Sequence, residues 1–144
     1  MLTFENYLTD IPFLIAGIPL TLGISIGAFI CGVIISLPMA VIRILKTPFI
    51  NPIILGWIEF FRTTPPLVHI VWIYYVFPIA FDLRFSALTV VILALSANTS
   101  AQMAEIFRAG IQAISRGQTE AGTVLGLNYV QRLFYIILPQ AVRL

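Results

Sequence analysis

Long runs without charge alternate with short polar breaks along the chain, and the run lengths predict its elements. Ile11 to Leu45 holds one internal charge, Arg43, near its end. A helix needs about 20 apolar residues to cross a bilayer, so this run predicts a first span over about 12–43. Pro12 and Pro19 sit early in it, where the helix begins or kinks. Gly23 and Gly27 form a small-xxx-small pair, a spacing that lets another helix approach closely. Arg43 and Lys46 close the span.

Residues 51–81 are too long for a simple span and carry charge. Glu59 and Arg62 lie three apart, and Thr63-Thr64-Pro65-Pro66 interrupts the helix, because a residue before proline is pushed out of helical geometry. Asn51 to Arg62 reads as an interfacial or steeply tilted segment, and Leu67 to Phe81 as the deeper limb after a break at 65–66. Placing Arg62 near an interface avoids the cost of a midplane charge, about 2.5–3.5 kcal/mol. Asp82 and Arg84 mark a polar turn. The third span, about 86–107, is apolar at first and then polar, with Ser96, Asn98, Ser100, Gln102 and Glu105. Asn98, Gln102 and Glu105 share one helical face by their spacing.

A loop over 108–135 follows, mixed polar and small and unable to span. An apolar segment begins at 133–144, broken by Pro139. The expected fold is therefore an all-α polytopic transmembrane helical bundle forming one domain over residues 1–144. Three spans leave the polar face of the third short of partners, which predicts that the natural chain continues.

Composition sharpens this picture. Of 144 residues 60% are apolar and 10% charged, with a mean hydropathy of +1.02, whereas a soluble domain carries about 25% charged residues. The net charge of +2 is too small and too scattered to suggest nucleic acid. Its distribution is informative. Alternating three spans puts Arg43, Lys46, Arg62, Arg108, Arg116, Arg132 and Arg143 on one side and leaves Arg84 opposite. The positive-inside rule makes the first side cytoplasmic and the N-terminus external. Met1 to Asp10 has no basic residue, so the first apolar run does not read as a cleaved signal peptide. The lone Cys31 reads as a small apolar packer.

The 108–135 loop has internal order. Gly117 reads as a break, and Gln118 to Leu125 as a short helix with Glu120 in its first turn, where the dipole favours an anion. Gly126 is placed to end it in a left-handed conformation. Asn128 begins a second helix, with Gln131 three residues later at capping-box spacing. Val124, Leu125, Leu127, Val130, Leu133 and Phe134 are then exposed, and an apolar surface in water needs a partner.

Glu120-Ala121-Gly122, three residues, Gly126, nine residues, then Ile136-x-Leu138-Pro139 resembles the EAA loop of ABC importer permeases, with Gly122 in place of the third small residue. Glu59-Phe60-Phe61-Arg62-Thr63-Thr64-Pro65-Pro66-Leu67 is similar to a signature of permeases for polar amino acids, with Thr63 where glycine is usual. Ala104-Glu105-Ile106-Phe107-Arg108-Ala109-Gly110-Ile111 with Gly117-Gln118 fits the same subfamily, as do Gly17 and Thr21-Leu22. The resemblance covers nearly the whole chain, and family members run on for two further spans. It implies the membrane-spanning subunit of an ATP-driven amino acid importer in the bacterial inner membrane. Its implied partners are a cytoplasmic ABC ATPase, a second permease copy or paralogue, and an external substrate-binding protein. The implied coupling residues are Gly117, Gln118, Glu120, Ala121, Gly122, Gly126, Ile136, Leu138 and Pro139. No Gly-Lys-Ser/Thr phosphate loop is present; this chain is expected to be no enzyme by itself and to bind no cofactor, with ATP used by its partner.

Asn98 and Gln102 are candidates to line a translocation path, the alternative being hydrogen bonding between helices. Glu105 is expected to pair with Arg108, and His69 to be packed and hydrogen-bonded. A secondary transporter or channel is the alternative function, but it would call for repeat or ion-site features, and the chain has no internal repeat.

Overall fold

The computed structural model describes residues 4–141, with side chains from residue 11 onward except at residue 116. Arg143, counted above among the cytoplasmic charges, and the end of the last apolar segment lie outside the described residues.

Helix α1 (Phe4–Leu45) runs through Pro12, Pro19 and Pro38. Its apolar part, Ile11–Leu45, is 35 residues, about 50 Å of helix against about 30 Å of hydrocarbon. Helix α2 (Ile50–Thr63) and helix α3 (Pro66–Phe81) meet at a bend of 106°. The bend lies at Thr64 and Pro65, both extended, with ψ of 133° and 138°. Pro66 takes the first position of α3, where its missing N–H costs nothing. Helix α3 ends with Asp82 left-handed at φ 53°. Ser86 then caps helix α4 (Ala87–Gln112) by accepting from Thr89 N at 3.2 Å.

Two π turns share one cause. In α3 the turn Trp72–Val76 ends with Phe77 N–H donating to Trp72 O, immediately before Pro78. In the last helix the turn Leu133–Ile137 ends with Leu138 N–H donating to Leu133 O, immediately before Pro139. A proline ring clashes with the carbonyl four residues back, and one widened turn removes the clash while the helix continues.

Helices α1 and α4 form the main crossing. Their contact is a stripe of small residues at four-residue spacing, Ala28, Gly32, Ser36 and Ala40, all buried. It packs on α4, whose Ala94, Ser100, Ala101 and Ala104 are each 0% exposed. A β-carbon at Gly32 would lie 2.6 Å from Thr99 Cβ and 3.1 Å from Ser96 O. The close approach expected at Gly23 and Gly27 is therefore made at Gly32, since a β-carbon at either earlier glycine meets nothing within 4 Å. Cys31 is exposed rather than packed. Met39, Ile58, Phe61, Ala101 and Ala104 bring α1, α2 and α4 into one core.

The third long helix continues past the expected end at 107 to Gln112. The apolar run ends near Phe107, but the next turn is held by Arg108 Nη1 on Gln112 Oε1 at 2.6 Å and by burial of Ile111. Helix α5 (Arg116–Val124) and helix α6 (129–141) complete the described chain as a hairpin.

Candidate functional site

The hairpin after α4 is built from local chemistry. Its first helix starts at Arg116, so Gly117, expected as a break, lies in the first turn, and the break falls at 113–115. Glu120 then stands in the second turn, not the first, and the dipole argument for it lapses. Gly126 closes the helix at a φ of +75°. Leu127 N donates to Gly122 O at 3.1 Å and Gly126 N to Thr123 O at 3.0 Å, the two bonds of a Schellman closure. Asn128 and Gln131 form a reciprocal capping box, each bond 2.9 Å. Two helix ends are thus satisfied within four residues, which makes the turn stiff.

The two arms are in close contact at Gly122, which is buried. A β-carbon there would lie 2.7 Å from Ile136 Cδ1 and 2.9 Å from Arg132 Cγ, so the small residue serves the hairpin itself. Arg132 donates to Thr123 Oγ1 and lies 5.9 Å from the Tyr129 ring centre. Gln118 Oε1 accepts from Gln140 at 3.3 Å. The base of the hairpin is anchored: Ile111, Leu133 and Ile137 form a core joined by Val41 and Ile44 of α1, with Ile114, Leu138 and Ala141. Leu133, expected exposed, is 2% exposed for this reason, and Leu127 is half-buried. The tip is bare. Val124 is 88% exposed and Leu125 74%, with Val130, Phe134 and Tyr135 also open. Glu120, Ala121 and Pro139 are exposed, and Ile136 is half-buried.

A second polar assembly lies on α4. Asn98 is buried, and its Nδ2 donates to Phe61 O at 2.6 Å. Gln102 Nε2 donates to Asn98 Oδ1 at 2.6 Å. Glu105 accepts from Arg108 at 2.6 Å, the expected pair, and also from Arg43 of α1 at 3.1 Å. The second partner comes from 62 residues away; its signal in the sequence was two opposite charges at the same end of two spans. Trp57 Nε1 donates to Ser100 Oγ at 3.2 Å, a further tie between α2 and α4. His69 is packed against the Phe60 and Phe61 rings at 5.2 and 4.5 Å. Contrary to expectation neither of its ring nitrogens has a hydrogen-bond partner among the described residues, because the elbow surrounds it with aromatic carbon. Between α2 and α4 an open groove of about 360 Å³ is lined by Arg62, Gln102, Glu105, Ile106, Arg108 and Ala109.

Known proteins share this architecture. Residues 32–144 match the family described as binding-protein-dependent transport system inner membrane component. A probable amino-acid permease of Bacillus subtilis (strain 168) is 38% identical over 97% of this chain and 63% of its own length. The glutamine transport system permease of Escherichia coli (strain K12) is 37% identical over 92% of this chain and 61% of its own. The crystal structure of an amino acid ABC transporter with histidines superposes with a TM-score of 0.89 at 34% identity, covering 99% of this chain and 66% of that one. The chain thus spans a little over 60% of the length of the two curated relatives.

Proposed function

This chain belongs to the family of binding-protein-dependent transport system inner membrane components, and we propose that it is the membrane-spanning subunit of an ATP-driven importer of amino acids. The observation that carries the reading is the hairpin, with an anchored base and a bare apolar tip. Val124 and Leu125 project at the closed end, while Leu133, Ile137 and Leu138 are locked to α1 and α4. A body that docks on the tip therefore pulls on the ends of both helices through a stiff turn. The partner at the tip is a cytoplasmic ABC ATPase. It binds and hydrolyses the ATP, and this chain contributes no catalytic group.

The bare faces of α1, the bent α2–α3 limb and the lipid-length helices suit a bundle completed by a second permease copy or paralogue in the bacterial inner membrane. An external substrate-binding protein delivers the cargo. Orientation follows the basic residues, with the hairpin cytoplasmic and the N-terminus outside. The translocation path runs beside the polar face of α4. Gln102 borders it in the open groove, and Asn98 holds Gln102 in place from behind. The cargo is an amino acid, the class that the relatives' names have in common.

Gentle detergent extraction of the tagged protein from its native membrane tests this directly. The expected result is copurification of an ABC ATPase whose hydrolysis rises with amino acid and binding protein in proteoliposomes. Recovery without an ATPase, together with amino acid movement that ignores ATP, would favour a secondary transporter.

A further inference from the structure

The polarity of the groove between α2 and α4 follows from one backbone carbonyl. Phe61 O can only accept, so the Asn98 atom 2.6 Å from it is the amide nitrogen, and Asn98 Oδ1 points onward. That oxygen needs a donor, which fixes Gln102 Nε2 against it at 2.6 Å. The relay therefore ends in Gln102 Oε1, an acceptor without a partner among the described residues, on a side chain that borders the groove. Arg62 borders the same groove, exposed, and makes no hydrogen bond or ion pair among the described residues. The other charges there are engaged. Glu105 holds Arg43 and Arg108, and Arg108 also holds Gln112. Glu59, one turn before Arg62, is exposed and forms no pair with it. The remaining wall is Ile106 and Ala109.

We propose that this groove takes the zwitterionic head of a free amino acid, its α-carboxylate on Arg62 and its α-ammonium on Gln102 Oε1. The proposal rests on the importer reading and adds the contact point. A guanidinium fork suits a carboxylate, and a fixed amide oxygen suits a cationic donor. A phosphate diester that carries no ammonium would use Arg62 but offers no donor to the neutral acceptor beside it. At about 360 Å³ the groove is within the range of small-molecule sites.

The test uses the assembled permease–ATPase transporter in nanodiscs, without binding protein, carrying Cys31→Ser and a reporter Ala109→Cys. The alkylation rate of the reporter is measured with a mixture of the proteinogenic L-amino acids, with their α-amides, and with the matching α-hydroxy acids. Amino acids should slow alkylation, and amides and hydroxy acids should each need about tenfold higher concentration for the same protection, the worth of one charge-assisted hydrogen bond. Arg62→Gln should bring amino acids down to the level of amides, Gln102→Leu to that of hydroxy acids, and Arg62→Lys should keep part of the protection. Ile106→Cys is a second reporter should the first fail to assemble. No protection at either reporter, protection indifferent to Arg62→Gln, or equal protection by inorganic phosphate would each overturn the proposal. Uptake by the unmodified transporter in proteoliposomes separates the two readings. Import without groove protection removes the zwitterion site alone, whereas absence of import removes the importer reading beneath it.

Discussion

Asn98 gives the carbonyl of Phe61 the hydrogen bond that Pro65 has no N–H to make. In a continuing helix Phe61 O would accept from the residue four places on, which here is Pro65. The bend at Thr64-Pro65 therefore strands a buried acceptor, and the side chain of Asn98 on α4 reaches it at 2.6 Å. The elbow and the third long helix are tied at the point where the chain turns by 106°.

Removing that donor should be costly. Asn98→Ala leaves the Phe61 carbonyl buried without a partner, at about 1–3 kcal/mol. Asn98→Asp sets an acceptor against an acceptor and should cost more. Thermal unfolding of the purified transporter should rank wild type above Asn98→Ala, and that above Asn98→Asp. An unchanged midpoint in both variants would mean that the bond does not hold the elbow.

The α1–α4 crossing gives a paired test. Gly32→Val drives a branched side chain into Thr99 and the backbone of Ser96, and overpacking of this kind costs about 1–3 kcal/mol. Gly23→Val meets open space within this chain. The fraction recovered monodisperse after heating should fall for the first and stay near wild type for the second. Equal losses would show that the crossing is not centred on Gly32.

Orientation is open to thiol labelling. In a Cys31→Ser background, cysteine at Leu83, 48% exposed in the turn between α3 and α4, should react with an impermeant reagent in intact cells. Cysteine at Gln118 should react only after lysis. The reverse pattern would invert the whole topology.

The residues divide by how far their partners lie along the chain. Gly126 and the Asn128–Gln131 box were legible because a helix end is decided within a few residues of itself, and so was a break near 65–66. That break falls one residue earlier, at Thr64-Pro65, because Pro66 suits the first position of the next helix. Family membership was legible for a similar reason, since the glycine and Ile-x-Leu-Pro positions keep a fixed spacing. Gly32 carried a signal, small residues at Ala28, Gly32, Ser36 and Ala40, but an earlier glycine pair showed the same pattern, and only the facing Thr99 separates them. Gly122 was legible only as a coupling residue implied by the resemblance; its part in holding the hairpin together was not, because its neighbour Ile136 belongs to the other arm. Leu133 looked exposed because Val41 and Ile44, which cover it, are roughly ninety residues earlier. The two π turns were not anticipated, although both prolines that cause them were in plain view.

If the bare hairpin tip receives the force of an ATPase, two charges placed there should uncouple the pair. Val124 and Leu125 are exposed and touch neither the arm contact at Gly122 nor the anchoring core, so the double change Val124→Asp, Leu125→Asp should leave membrane insertion and folding intact. The decisive measurement is amino acid-stimulated ATP hydrolysis by this variant in proteoliposomes, read beside the amount of ATPase retained on the membrane. Retention should fall by about tenfold or more, as burying two unpaired carboxylates in an apolar contact would cause, and stimulation should disappear. Wild-type retention with wild-type stimulation would contradict it, and the hairpin would then be a connection between spans and nothing more.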